Sequence, residues 1–508
     1  MARMVRGNSI VISLRKIGLW IASAVTAAGM CAVGAACGAA PAAAATASRA
    51  PQSAHALRPL SVAVTVYPDH SLGVIPPTAF GINTAVWDAN LLNAGIPEKL
   101  RTLGMKVLRW PGGSFSDTFN WSTAKPSFNQ FVQLAKQVGA QPLLTVNYGT
   151  GTPQEAAAWV KYANVTKKYG IRYWEIGNEV YGDGEYQHVS WEQNLHTHKG
   201  PHGYGVNALQ YIKAMRAVDP HIQIGVVLTV PGFWPSGIAP YWDRTLLPIV
   251  AKNINFVVLH WYPQNPGQES DAGLLSTPSS IPGYMARLHR YLAEYAGKEA
   301  KNIQVFVDET NSVSSNPGKQ SVSLVNALFL ANDYMTWLQN GAANVDWWDL
   351  HNSIETGNNN SSSLYGNASY GDYGVLSSGE SKAGVSEPPL NTPFPPFYGL
   401  LMLHRLAEPG DRMVAAASND SLFAVHAVRQ SGGALSVLFV NEHAGHSVTA
   451  HLQFAGYRNA ESAVVYTYGV GSRTIGERRV VLRGSRPTLT VGPYSLTVVR
   501  FTPIAGKS

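Results

Sequence analysis

Eight short apolar runs recur along the chain, most of them separated by segments with helical spacing. In order they are Phe80–Trp87, Val107–Gly113, Pro142–Tyr148, Tyr173–Glu179, Gln223–Thr229, Phe256–Pro263, Gln304–Asn311 and Asn344–Asn352. Runs this short, bounded by turn residues, read as strands buried on both faces. Phe128–Val138, Pro153–Tyr169, Gly205–Val218 and Val322–Gln339 carry an amphipathic helical period between them. Such alternation builds parallel sheets from βα units, and eight units over about 250 residues or more predict a (β/α)8 barrel of the α/β class.

The remainder of the chain divides around that barrel. Residues 1–47 hold Arg3, Arg6, Arg15 and Lys16, no acidic residue, and an apolar stretch from Ile17 that ends in the small-residue segment Pro41–Ala47. This reads as a signal peptide. Its removal lowers the formal charge from +7 to +3, so a basic field suited to nucleic acid is not expected, nor is stable membrane insertion of the mature chain. Both cysteines, Cys31 and Cys37, lie in this leader, which leaves no disulfide or thiol chemistry in the mature protein. The chain is expected to be secreted or extracytoplasmic, with lipid anchoring at Cys37 as the minor alternative. Residues 48–75 form a linker and a strand, Leu60–Tyr67, expected to join a C-terminal domain. The barrel occupies 76–405, including a long Asn-, Gly- and Ser-rich loop at Ser353–Pro389 and a helix at Pro396–Leu406. In 406–508, alternating segments at Leu422–Val428, Leu435–Asn441, Ser462–Tyr468 and Ser495–Phe501 predict an antiparallel β-sandwich.

Barrel active sites form at the C-terminal ends of the strands, so the polar residues that close the runs are the candidates. Glu179 closes the fourth run and Glu309 the seventh. Strand alternation puts Glu175, Gly177 and Glu179 on one face with Asn178 pointing elsewhere, and allows only one of Asp308 and Glu309 to face the barrel axis. Two carboxyl groups flanking a glycosidic bond suffice for its hydrolysis, one protonating the leaving oxygen and the other attacking or activating water. That pair needs neither metal nor cofactor. Most acidic residues are surface or ion-pair groups; two at strand ends among aromatics argue otherwise. Trp87, Trp110, Trp121, Tyr148, Trp261, Trp347 and Trp348 stand at strand ends, and flat rings with a polar edge suit sugar faces; Trp121 and Trp348 are taken as candidate sugar contacts. His260 has no second ligand at metal spacing on its own strand. The histidines His188, His196, His198 and His202 match no metal template and read as a loop over the cleft.

With Asn178-Glu179 on the fourth strand and Glu309 on the seventh, the chain resembles retaining glycoside hydrolases of clan A. Leu108-Arg109-Trp110-Pro111-Gly112-Gly113-Ser114-Phe115 followed by Asn120-Trp121 is similar to the second-strand motif of family 51 α-L-arabinofuranosidases, which also carry a β-sandwich after the barrel. The resemblance spans about residues 60–503. It implies that Glu179 is the acid/base, its pKa raised, and Glu309 the nucleophile. It further implies that Tyr262 hydrogen-bonds Glu309, that Asn178 binds the hydroxyl beside the anomeric carbon, and that Arg109, His260 and Ser114 contact substrate or orient the glutamates. Ser114 replaces the family's usual Asn, which leaves β-xylosidase, endo-β-glucanase and β-glucuronidase activities open. A non-catalytic carbohydrate-binding protein is the alternative from another class. A serine hydrolase is disfavoured because no Gly-x-Ser-x-Gly elbow occurs.

Overall fold

Labelled in chain order, the first strand is β1 (Leu60–Val74), and the eight that follow are β2 (Phe80–Asn83), β3 (Val107–Trp110), β4 (Gln141–Val146), β5 (Tyr173–Ile176), β6 (Gln223–Val227), β7 (Phe256–Trp261), β8 (Gln304–Thr310) and β9 (Ala342–Trp347). Strands β2 to β9 pair in parallel with their neighbours and close as a barrel, β9 returning to β2. The computed structural model describes residues 58–503 apart from 186–189, 235–238, 240, 359–368, 457–458 and 483–485. The expected leader, with Cys31 and Cys37, and His188 lie outside the described residues. Helices Lys125–Val138, Pro153–Val160, Gly200–Val218 and Leu324–Gln339 cover the barrel where the 3.6-residue period placed them.

The barrel interior is layered. Val107, Leu143, Tyr173, Phe256, Val258, Phe306 and Ala343 form an apolar plug near the strands' N-terminal ends. Two residues further along the same strands the inward side chains are Arg109, Thr145, Glu175, His260 and Asp308, all buried. An apolar floor under a ring of charges gives those charges a low-dielectric setting, in which each must find a partner. Gly81 on β2 faces this layer because a Cβ there would strike the Asp346 carboxylate.

Two local departures from ideal strands bring acidic side chains to the barrel mouth. β5 ends at Ile176; Gly177 then takes φ +74° and Glu179 φ +37°, so the two-residue alternation expected to turn Asn178 away no longer applies, and Asn178 and Glu179 both face the same cavity. In β8 the register with β7 slips between Val258 and His260, and that with β9 slips between Val307 and Thr310. The bulge inserts an extra residue, so Asp308 and Glu309 both reach inward, against the expectation that only one could.

The loop after β9 carries a short hairpin, β10 (Ser381–Lys382) with β11 (Val385–Ser386). Beyond the helix Pro395–Leu406 follow β12 (Arg412–Ser418), β13 (Phe423–Arg429), β14 (Leu435–Asn441), β15 (Val448–Phe454), β16 (Asn459–Gly469), β17 (Gly476–Val481), β18 (Thr488–Val491) and β19 (Ser495–Pro503). With β1 they make one continuous nine-stranded sheet, order β17-β16-β19-β14-β13-β12-β1-β15-β18. It curls over its own core of Val62, Val64, Phe423, Phe439, Leu452 and Phe501. Apart from β1 and β15, which run parallel, neighbouring strands are antiparallel. Buried hydrogen bonds from Asn332 on a barrel helix to Glu442 (3.1 Å) and from His426 to Asn332 (2.9 Å) tie this sheet to the barrel.

Candidate active site

A cavity of about 430 Å³ opens at the C-terminal end of the barrel, lined by Asn178, Glu179, Tyr262 and Glu309 with Gly113, Ser114, Trp191, Trp234, Ser314, Ser315, Trp348 and Tyr373. Glu179 and Glu309 face each other across it. One carboxylate oxygen from each, and a ring nitrogen of His260, lie within 4.8 Å of one another.

Glu309 is held as an acceptor. The Tyr262 hydroxyl donates to its Oε1 at 2.5 Å and Arg109 Nη1 to its Oε2 at 2.9 Å. Burial and the neighbouring Glu309 charge push the Tyr262 phenol well above its ordinary pKa, so it keeps the proton it donates. Arg109 is almost wholly buried and saturated: Nε and Nη2 bond Glu175 at 3.0 and 3.3 Å, Nε also lies 3.1 Å from Asp308, Nη1 reaches Asn83 at 3.0 Å, and Nη2 reaches Asn178 at 2.8 Å. A guanidinium only donates, so the Asn178 amide must turn its oxygen to Arg109 and its N–H2 towards Glu192, which accepts it at 3.0 Å.

Glu179 receives three donors: Trp191 Nε1 at 2.6 Å, the Tyr181 hydroxyl at 3.0 Å and His260 Nδ1 at 2.9 Å. Burial alone would raise its pKa, but the His260 contact, followed by the Trp191 and Tyr181 hydrogen bonds, lowers it below the usual carboxyl value. This corrects the expectation of a raised pKa. His260 shifts the other way: burial opposes charge on it, yet Glu309, Asp308 and Glu179 around it raise its pKa well above the ordinary imidazole range. The groups around His260 come from two other strands, β8 and the end of β5, which spacing along a single strand does not reveal. Its Nδ1 and Nε2 face Glu179 at 2.9 Å and Asp308 at 3.3 Å, and Arg109 pairs with Glu175, Asp308 and Glu309.

No family model matches the sequence. Curated relatives do. The chain is 28% identical over 173 residues to a probable α-L-arabinofuranosidase C of Aspergillus fumigatus, a match that covers 27% of this chain and 32% of that protein. It is 25% identical over 304 residues to an intracellular exo-α-(1→5)-L-arabinofuranosidase of Streptomyces lividans, covering 49% and 44%. The chain thus spans less than half the length of either relative. Among solved structures, an α-L-arabinofuranosidase from Thermotoga maritima in complex with arabinose superposes with TM-score 0.67 at 17% identity, covering 87% of this chain and 99% of that one. The chain is thus similar in part of its sequence to curated α-L-arabinofuranosidases and shares the fold of solved α-L-arabinofuranosidase structures. The same fold also superposes on CelM2, a bifunctional glucanase-xylanase from a metagenome library, with TM-score 0.64 at 15% identity over 87% of this chain and 99% of that one.

In this chain, Arg109, Asn178, Glu179, His260, Tyr262 and Glu309 form one hydrogen-bonded group, and Ser114 joins it through Glu192, to which its hydroxyl donates at 2.6 Å. Trp348 lines the cavity and meets Trp87 at its rim, ring centroids 6.5 Å apart. Trp121 does not reach the cavity. Its ring stacks on Trp159 at 6.0 Å and its N–H donates to the Glu155 carbonyl, so it packs behind the barrel against the next helix, and its candidacy as a sugar contact is withdrawn. Trp110, Tyr148, Trp261 and Trp347 are likewise core residues. Sequence reasoning missed Trp191, Glu192, Trp234 and Tyr373, which arrive on loops. The only signal for the first two was that the histidine-rich segment was expected to cover the cleft.

The buried acids set a testable pH dependence. Burial pushes Asp117 up to about 8, Glu175 to about 7, Asp243 to about 7 and Glu442 to about 8. Each binds its proton more tightly folded than unfolded, so stability falls as pH rises from the ordinary carboxyl range through the folded pKa. The raised His260 acts in the same direction above its ordinary 6.5. His426, lowered to about 4 by burial, and His404, also lowered, act oppositely only below 6.5. Thermal melts are expected to show Tm falling by about 5 °C or more between roughly pH 6.5 and 8.5; a Tm that rises over that interval contradicts the assignment.

Proposed function

We propose that the chain is an exported retaining glycoside hydrolase that releases α-L-arabinofuranosyl groups from plant-type saccharides by a two-glutamate double displacement. The observation that carries this reading is the pair of carboxylates within 4.8 Å across one cavity, each with a different set of partners. Retaining pairs stand about 5–5.5 Å apart and inverting pairs about 6.5–9.5 Å, the latter leaving room for water.

In the first step a Glu309 oxygen forms a bond to the anomeric carbon as the glycosidic C–O bond breaks, and Glu179 gives a proton to the departing oxygen. In the second, water attacks the glycosyl-enzyme ester, its proton passes to Glu179, and Glu309 leaves as carboxylate. Glu309 is aligned by the Tyr262 hydroxyl and Arg109, which donate to its two oxygens. With its pKa lowered, Glu179 must take up a proton before it can donate one; His260 Nδ1–H, 2.9 Å away, is the adjacent source, and the proton Glu179 takes from water in the second step returns to His260. Sugar bound over Glu179 excludes water and favours the neutral acid, which moves the shared proton towards it. Asn178, its N–H2 turned from Arg109, is placed to donate to the hydroxyl beside the reacting carbon. Export rests on the basic, apolar and alanine-rich segment 1–47.

The test is colour release from 4-nitrophenyl α-L-arabinofuranoside, β-xyloside, β-glucoside and β-glucuronide. The arabinofuranoside is expected to have the highest kcat/KM by about tenfold or more. Preference for one of the pyranosides reassigns the sugar; binding without turnover of any of them leaves a carbohydrate-binding protein and refutes hydrolysis.

A further inference from the structure

Two consecutive loop residues hold the two consecutive residues that follow the end of β5. Trp191 Nε1 donates to the Glu179 carboxylate at 2.6 Å, and Glu192 Oε1 accepts the Asn178 side-chain N–H at 3.0 Å. The loop is tied down at this point: the Gly182 carbonyl accepts the Trp191 and Glu192 backbone N–H groups at 3.0 and 2.9 Å, and a Cβ at Gly182 would strike the Trp191 indole. Glu192 is 4% exposed and stands behind Ser114 and Asn178, which line the cavity. The oxygen that accepts from Asn178 also accepts from the Ser114 hydroxyl at 2.6 Å, while Oε2 is buried with no hydrogen-bond partner among the described residues. Two donors on one oxygen make it the carbonyl-like one and leave the other to carry a proton. Burial, with the Asp117 and Glu179 charges nearby, pushes the Glu192 carboxyl well above its ordinary range, in keeping with a neutral acid.

These bonds assign opposite roles to the two residues in front of Glu192. Asn178 turns its oxygen to Arg109 at 2.8 Å and one N–H to Glu192, so its second N–H is what it offers the cavity. Ser114 spends its single O–H on Glu192, so towards the cavity it can only accept. We infer that Glu192 is a positioning residue of the hydrolysis, fixing Asn178 as a donor and Ser114 as an acceptor for two hydroxyls of the bound sugar. This rests on the hydrolase reading above and adds to it a residue that acts only through its neighbours. Without the carboxyl, the Asn178 N–H2 loses its anchor and the Ser114 hydroxyl is free to turn and donate. Contacts to the hydroxyl beside the anomeric carbon strengthen in the transition state, so the loss falls on kcat more than on KM.

The test compares 4-nitrophenyl α-L-arabinofuranoside with the same glycoside lacking the 2-hydroxyl, for the unaltered protein, Glu192→Ala and Glu192→Gln. Glu192→Ala is expected to lower kcat on the complete sugar by about a hundredfold with KM changed by about threefold or less, and to lower kcat on the 2-deoxy sugar by only about fivefold. Glu192→Gln is expected to recover most of the loss, because its amide oxygen can accept from both Asn178 and Ser114. Thermal melts are the control for folding; should Glu192→Ala be unfolded, the two substrates are compared on Glu192→Leu, which fills the space without accepting a hydrogen bond. An equal fall on both substrates, no fall on either, or a Glu192→Gln variant as impaired as Glu192→Ala overturns the positioning role while leaving the hydrolase intact. Failure of the unaltered protein to release nitrophenol from either glycoside removes the underlying reading and this role with it.

Discussion

Glu309→Gln is expected to lower kcat on 4-nitrophenyl α-L-arabinofuranoside by about 10^4-fold or more, roughly 5.5 kcal/mol of barrier, because the amide keeps the shape but cannot form the glycosyl ester. Tyr262 and Arg109 still find an acceptor in the amide oxygen, so the fold is expected to survive and melts serve as the control. Glu179→Ala is the informative companion. Removing the acid costs most when the leaving group is poor and little when it is a dinitrophenolate, whereas the Glu309 loss is the same for both. Adding azide to Glu179→Ala is expected to restore turnover and to yield a glycosyl azide, since the small anion can reach the ester without a base. If Glu309→Gln retains more than about a hundredth of the parent rate in a preparation free of wild-type protein, the nucleophile has been misassigned.

Arg109→Met is expected to produce the largest loss of stability. The side chain is 1% exposed and lies within 3.1 Å of Glu175, Asp308 and Glu309. Its own burial opposes charge, but those three carboxylates hold the guanidinium firmly protonated. Deleting it strands buried anions, which costs about 3–5 kcal/mol when a buried pair is broken. The sign with pH follows from linkage: Arg109 holds down the Glu175 pKa that burial raises, so without the cation that carboxyl rises further, the folded variant holds more protons and it loses stability more steeply as pH increases. Urea unfolding at pH 5 and pH 8 is expected to show a penalty that is larger at pH 8. A penalty under about 1 kcal/mol at both, or one larger at pH 5, contradicts the charge balance described for the barrel mouth. Activity is expected to fall as well, by about a hundredfold, because Asn178 loses the partner that sets its amide.

The parts of the fold set by local pattern were legible in the sequence. Each apolar run matches one barrel strand, six starting at the same residue and the other two within two residues of it, and Glu179 and Glu309 at the ends of their runs reach the mouth. Features set by several strands together were not. The bulge that lets Asp308 and Glu309 both turn inward is a register slip against β7 and β9, and nothing between Val307 and Thr310 marks it. The pKa of Glu179 is governed by His260, 81 residues away, and by Trp191 on a loop, so a rule based on the residue's general role gave the wrong sign. Trp121 looked like a mouth residue because it follows the second strand, but its ring finds Trp159 on the helix after the third. That β1 joins the C-terminal sheet was legible, but its place between β12 and β15, parallel to β15, is beyond the reach of any periodicity.

The most direct test follows the configuration of the first-formed arabinose by proton NMR during hydrolysis of an α-L-arabinofuranoside, before the sugar mutarotates. The proposed double displacement passes through a covalent glycosyl intermediate with two inversions, so the product is expected to appear first as the α-anomer. Initial release of the β-anomer would mean a single displacement by water, and the pairing of Glu309 as nucleophile with Glu179 as acid/base would be wrong.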